Sequence, residues 1–391
     1  MPETPSQPLA DTPSPGTQGV TEVPLLSIER GTCWVMFAYD IGMTIDLNAC
    51  ERGIAQNIHR QTIHHKRRAP QYFEYDPPPL RLTQVGEPVV IGEYRTTDPV
   101  EILIFDFGTV SVTYAIPLAG SMSNLRNLSN ELYGNVSLAD DARQRVRNLM
   151  EVIRPAINRP SLADVVEDYA IFQIESCSPL TPASQVLSGN GQLLAQILRA
   201  ESSPLSEDEV KDALACRLSF GQSDLLIVDW NAAILFDTGA EDVRAVLEFA
   251  NVELLEMRYL DDKLDDALDE SYIKLTQGGG DDSLRGSLRA RQMRRVAQLQ
   301  VDSAVLFEGV NNALKLLGDQ FLARVYRAAS QRLHLNEWDT SIIRKLQTLE
   351  SIYQKMTDRH AQRRMEVLEW IIIILIAISI LIPFLPGLPG H

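Results

Sequence analysis

The alternation of apolar and polar positions changes period along the chain, and each change marks a different part. Val110, Val112, Tyr114 and Ile116 alternate with Ser111, Thr113 and Ala115, the period of two expected of a strand with one buried face. FAYDIGMTIDL at 37–47, IFDFGTVSVTY at 104–114 and IVDWNAAILFD at 227–237 share a plan: an apolar run, then Asp-x-Gly or Asp-x-Asn, then a second run. Gly42, Gly108 and Asn231 are residue types that accept positive φ, and Asp can hydrogen-bond a turn, so each segment predicts a tight β-hairpin. A strand at 33–40, a helical stretch near 48–68, the hairpin 101–116, a helical stretch 121–150 and the strand EDYAIFQIE at 167–175 follow in order. That order is β-α-β-β-α-β, a ferredoxin-like arrangement. Helices near 185–200 and 207–217 lead to the third hairpin, the second opened by Ser206 with Glu209 three residues on, a capping box. The expected fold class is α+β, with a head over 25–238 that adds an extra hairpin to the ferredoxin-like unit.

From 239 to 366 the period becomes seven. Leu247, Ala250, Leu254, Met257, Asp261, Leu264, Leu268, Ser271 and Leu275 step by three and four, as do Val296, Leu299, Ser303, Leu306, Val310, Ala313 and Leu317, and then Ile342, Leu346, Leu349, Tyr353 and Met356. These are coiled-coil seams, so the segment predicts three long helices in an antiparallel stalk, broken first at the glycines 278–280. The turn sets the acids between 261 and 270 opposite Arg285, Arg289, Arg291, Arg294 and Arg295, charges that fix register more than stability. Asp261 and Ser303 interrupt the seams, as residues that set register or oligomeric state do.

The last segment, 367–391, has no charge from 370 to 390 and reads IIIILIAISILI at 371–382. Thirteen helical residues from 370 reach only about 20 Å against a hydrocarbon core of about 30 Å, and Pro383, Pro386 and Pro389 end the regular helix. An extended Pro-rich remainder makes up the difference, so the sequence predicts one C-terminal transmembrane helix. Arg359, Arg363 and Arg364 precede it and no Lys or Arg follows, which places the N-terminal part in the cytoplasm of a single-pass, tail-anchored protein with Trp370 at the interface. The start, 1–24, holds six prolines and no periodic apolar face, and is expected to be a disordered tail that is neither secretory signal nor transit peptide.

Composition narrows the chemistry. The 391 residues carry 52 acids against 36 bases, a net charge of -16, which argues against a surface built for nucleic acid. The four cysteines, Cys33, Cys50, Cys177 and Cys216, form no C-x-x-C pair, so neither a disulfide framework nor a cysteine zinc site is written here. The densest cationic stretch is His59, Arg60, His64, His65, Lys66, Arg67 and Arg68, a candidate contact for an anion or a lipid headgroup. Asp40 and Asp106 stand where palm-like nucleotidyl cyclases carry two metal-binding carboxylates, but Asp229 takes the same turn position in a hairpin outside that unit, so turn formation is the preferred role.

EDYAIFQIE, SDLLIVDWNAAILFD at 223–237, NVELLEMRYLDDKLDDAL at 251–268 and RRMEVLEWIIIILIAISIL at 363–381 together resemble the Rmd1/Sif2 family, over roughly 33–385. The resemblance implies a membrane-anchored protein without established catalytic residues, and the absent transit peptide favours a bacterial cytoplasmic-membrane member. The function expected is a non-enzymatic scaffold, oligomeric through its stalk, that tethers a protein partner at the lipid bilayer. No catalytic residue, metal or cofactor is expected, and no nucleic-acid partner. The alternatives are an oligomeric ion transporter resembling CorA and, third, a metal-dependent cyclase-like phosphoryl-transfer enzyme.

Overall fold

The computed structural model describes residues 26–57, 63–65, 77–179, 183–221, 223–276, 294, 297–301, 303–304 and 320–381. Its centre is a long strand, β1 (Ser27–Asp40), flanked by β8 (Thr109–Ser121) and β10 (Val166–Ser178), both antiparallel to it. Beyond β8 lie β7 (Pro99–Ile104), β4 (Leu80–Val85) and β3 (Ile63–His65); beyond β10 lie β13 (Ala232–Phe236), β12 (Leu225–Val228) and β11 (Arg217–Leu218). The order β11-β12-β13-β10-β1-β8-β7-β4-β3 makes one nine-stranded sheet, larger than a four-stranded unit with a hairpin. Its middle, β10-β1-β8-β7, has the strand order that a β-α-β-β-α-β chain produces.

Both faces of the sheet are covered. Val35, Phe37 and Tyr39 of β1 pack toward helices α1 (Leu47–Asn57), α2 (Met122–Leu132), α3 (Val136–Ile153) and α4 (Ala183–Arg199), whereas Met36 and Ala38 join a second core. That second core includes α6 (Glu241–Thr276), α7 (Gln320–Arg332) and α8 (Leu335–Leu381). The alternation in β8 therefore does not separate core from water: Ser111 and Thr113 are as buried as Val110 and Val112.

Several local expectations change. The helical stretch placed at 48–68 ends at Asn57, and His64 and His65 belong to an edge strand paired with β4. The segment 37–47 is no hairpin: β2 (Thr44–Ile45) pairs with β9 (Ile157–Asn158), not with β1. The helical stretch 121–150 is two helices, α2 and α3, separated at Gly134, where φ is +68°. Between the sheet strands, β5 (Val90–Ile91) and β6 (Tyr94–Arg95) form a separate ribbon, and α5 is Glu207–Ala213, capped as the sequence predicts by Ser206 Oγ accepting from Glu209 N.

α6 and α8 run parallel. Ser341 and Lys345 meet Asp261, Lys345 meets Asp265, and Tyr353 meets Ser271, so residues 80 to 84 apart stay level along the pair. Leu264 and Ala267 are buried against Ile342 and Leu349 in the same core. The glycine break at 278–280 and most of the middle seam fall outside the described residues.

The transmembrane expectation is overturned, because no described helix is long and apolar enough to cross a membrane. α8 ends at Leu381, so its run without charge from Trp370 covers only about 18 Å at 1.5 Å per residue, against about 30 Å of hydrocarbon. In sequence, the eighteen residues up to Leu381 include Arg364, Glu366 and Glu369. The single-pass, tail-anchored placement falls with it.

Candidate functional site

The α6 side of the sheet is a polar stripe inside a core. Period-two alternation brings Thr109, Ser111 and Thr113 to that side, and α6 answers with carboxylates one or two turns apart. Glu248 accepts from Ser111 Oγ at 2.6 Å and Thr113 Oγ1 at 3.0 Å, and Glu256 accepts from Thr109 Oγ1. Arg258 pairs with Glu167 of β10, and Asn251 Nδ2 donates to the Glu167 carbonyl at 3.3 Å. Burial raises the Glu248 carboxyl, against the pull of the two hydroxyls and Arg244, and pushes Glu167 up to about 7 in spite of Arg258. These groups fasten α6 to the sheet: each named carboxylate is occupied by a hydroxyl or a cation.

A second polar cluster joins head to helices. Asp229, at the β12–β13 turn and 0% exposed, accepts from Arg199 Nε at 2.6 Å and Arg332 Nε at 3.0 Å, while its carbonyl accepts from the Tyr169 hydroxyl at 2.9 Å. The same arginines reach Asp212 and Glu209 of α5. Two cations facing three acids, of which Asp229 alone is fully buried, hold a joint among α4, α5, α7 and the sheet. Sequence reading assigned Asp229 to a turn; its turn does connect β12 and β13, although Asn231 is not among the positive-φ residues.

Asp40 ends β1 opposite Thr109, largely buried, and Asp106 lies in the β7–β8 turn, where Ile45 N donates to its carbonyl at 2.7 Å. Among the described residues no group of three or more His, Cys, Asp or Glu side chains is arranged to hold a metal ion. Burial raises the Cys33 thiol and pushes Cys50 up to about 12, so neither is a thiolate at neutral pH. A shallow cleft beside α4 and α5 is lined by Gln192, Glu207, Val210, Lys211, Leu214 and Arg217.

Of the predicted basic contact, His64 and His65 lie in β3, opposite Thr83 and Leu82, whereas His59, Arg60, Lys66, Arg67 and Arg68 lie outside the described residues. Of the predicted interface anchors, Arg359, Arg363 and Arg364 fall within α8, and Trp370 is 65% exposed. Around it Met365, Leu368 and the large apolar residues of 371–376, with Ile378, are also exposed. The register of the pair sets the described end of α6, Thr276, level with about residue 358, so this apolar end extends past it. Sequence reading missed the arginines that meet acids inside the fold, Arg199 and Arg332; each is the last residue of its helix, where a basic side chain is ordinary and carries no signal of its partner.

No solved structure matches the chain. The uncharacterized protein MJ0711 of Methanocaldococcus jannaschii is 23% identical over 198 residues, half of this chain and 58% of that protein. A family model described as the N-terminal domain of uncharacterized protein MJ0711 matches residues 30–242, the sheet and its covering helices up to the start of α6. With more than half of its length matched, the chain belongs to the family of the MJ0711 N-terminal domain.

Proposed function

We propose that the chain is a non-enzymatic scaffold: a rigid α+β head that projects a helical arm and self-associates through the end of that arm to organise a protein partner. The observation that carries this reading is the apolar end of α8. Eight large apolar side chains from Trp370 to Ile378, a stretch with no charge, are about half exposed, and a helix apolar on every side is stable in water only when another surface covers it. They leave on the order of 1,000 Å² of apolar surface, comparable with the about 800 Å² that each partner buries in a standard interface. A second copy supplies an identical uncharged run, whereas the acid-rich bodies repel one another. The carboxylates and arginines of the head serve packing, which supports a role other than catalysis. The resemblance to the Rmd1/Sif2 family, whose members have no established catalytic residues, supports it further.

Light scattering on the full chain tests the reading. The expected mass is a multiple of 43.7 kDa, falling to a single copy when Ile371, Ile374 and Ile378 are all replaced by Glu. A wild-type chain that stays monomeric at every concentration overturns self-association. Nucleotide turnover with Mg²⁺ that disappears in Asp40→Asn replaces the scaffold with an enzyme.

A further inference from the structure

Two strands and a helix bring three charged side chains together on the α6 side of the sheet. Thr83 pairs with Glu101 and Arg81 with Leu103, so Arg81 of β4 lies diagonal to Glu101 of β7. Arg244 reaches the same place from the end of the first turn of α6. Arg81 Nη1 and Arg244 Nη2 stand 3.9 and 3.6 Å from Glu101 Oε2, close enough for ion pairing but beyond hydrogen-bond length. The Arg244 guanidinium also lies 3.7 Å from the centre of the Trp34 ring, whose Nε1 donates to Gln173 Oε1 at 2.9 Å.

The donors here are unspent. The two arginine side chains are 11% and 7% exposed, yet among the described residues neither guanidinium donates a hydrogen bond, and Arg81 Nε is buried without a partner. A guanidinium cannot shed its proton, so buried N–H groups call for an acceptor. The nearby Glu248 spends its Oε1 on Ser111 and Thr113, and it attracts Arg244 by charge without a hydrogen bond from it. Among the described residues Glu101, 27% exposed, is the one carboxylate within ion-pair reach of both cations, and it marks the side from which solvent enters. At the adjoining edge, β3 sets His64 opposite Thr83 and His65 opposite Leu82, so both histidines belong to the strand beside β4.

We propose that Arg81 and Arg244, with Trp34 as the wall behind Arg244, form a binding site for a small oxyanion, the phosphate or carboxylate group of a ligand. The anion enters beside Glu101 and accepts the N–H groups that Glu101 is too distant to take. Charge-assisted bonds from a pair of guanidiniums suit a group with two or more oxygens. The site lies at the base of α6, away from the apolar end of α8, so it stands whether or not the chain self-associates.

The full chain labelled with 5-fluorotryptophan gives four resonances, one per tryptophan, and Trp34→Phe identifies that of Trp34. Titration with inorganic phosphate, and separately with acetate, at fixed ionic strength is expected to shift the Trp34 resonance saturably. Saturation by phosphate alone assigns a phosphoryl ligand, and by acetate a carboxylate. Arg81→Gln is expected to raise the half-saturating concentration at least tenfold. Glu101→Gln removes the competing anion and is expected to lower it at least threefold, a tightening that a purely structural ion chain does not give. No saturable shift with either anion, or a Glu101→Gln chain that binds no more tightly than wild type, overturns the proposal. If Arg81→Gln does not fold, Glu101→Gln alone decides.

Discussion

Glu253 is 3% exposed between α6 and α7, and it accepts from the Tyr326 hydroxyl at 2.7 Å. The charged group of α8 that acts on it is Asp339, of like sign. Burial therefore pushes its carboxyl up to about 7, the Tyr326 hydrogen bond offsetting only part of this and Asp339 adding to it. The unfolded chain ionises near 4.5. Below that pH both states hold the proton; between 4.5 and 7 the unfolded chain releases a proton that the folded chain keeps, so stability falls as pH rises through this window. For Glu253 the loss amounts to about 3 kcal/mol above pH 7. Glu167 titrates in the same window and adds to the slope. Glu253→Gln is expected to flatten the decline in urea midpoint between pH 5 and pH 8 and to be the more stable chain at pH 8; an unchanged slope would show that Glu253 is ionised in the folded protein. None of this was legible from the sequence. NVELLEMRYL reads as a heptad with acids on its wet side, and only the sheet behind and α7 in front turn that side inward.

At the scale of elements, local signals fixed where the chain breaks but not what it pairs with. DIG and DFG look alike, and the second does turn β7 into β8, whereas the first hands the chain to β2, whose partner β9 lies over a hundred residues on. The two loops are bound to each other: Ile41 N donates to Gly108 O at 2.9 Å. Gly108 has φ +107°, and a Cβ on it would stand 1.9 Å from the Gly42 carbonyl oxygen, a backbone atom that cannot swing aside. Gly108→Ala is thus expected to destabilise by more than the about 1 kcal/mol of an ordinary glycine replacement, and to part the ends of β1 and β8, seen as faster amide exchange at Ile41 and Thr109. Gly134→Ala makes the control: its φ is also positive, +68°, but nothing lies within 4 Å of the added carbon, so only the local conformational penalty applies. Equal losses in the two variants would show that the loops are not held by this contact. The helical stretch expected near 48–68 illustrates the opposite limit, since α1 ends at Asn57. His64 and His65 gain strand geometry from β4, a partner that no local pattern names.

Across the whole molecule, the heptads of 247–275 and 342–356 named part of the faces that meet, since Leu264, Ile342 and Leu349 are buried together, whereas Leu254 and Leu268 of the same seam are only partly buried. The apolar end misled for a physical reason: hydropathy reports that a segment avoids water, not what replaces the water, and the helix length then decides against a bilayer. Charge separates the ways in which copies of the chain could associate. Each copy carries -16, so two bodies repel, and the repulsion reaches about 10 Å in 0.1 M salt but only about 3 Å in 1 M. An interface made of the apolar end of α8 contributes no ion pair for salt to screen. Association through it is therefore expected to strengthen as NaCl rises from 20 to 500 mM, read as a falling dissociation constant in sedimentation equilibrium. Copies held instead by acid–arginine pairs would come apart over the same range, and that outcome would move the interface away from α8 to the charged flanks of the helices.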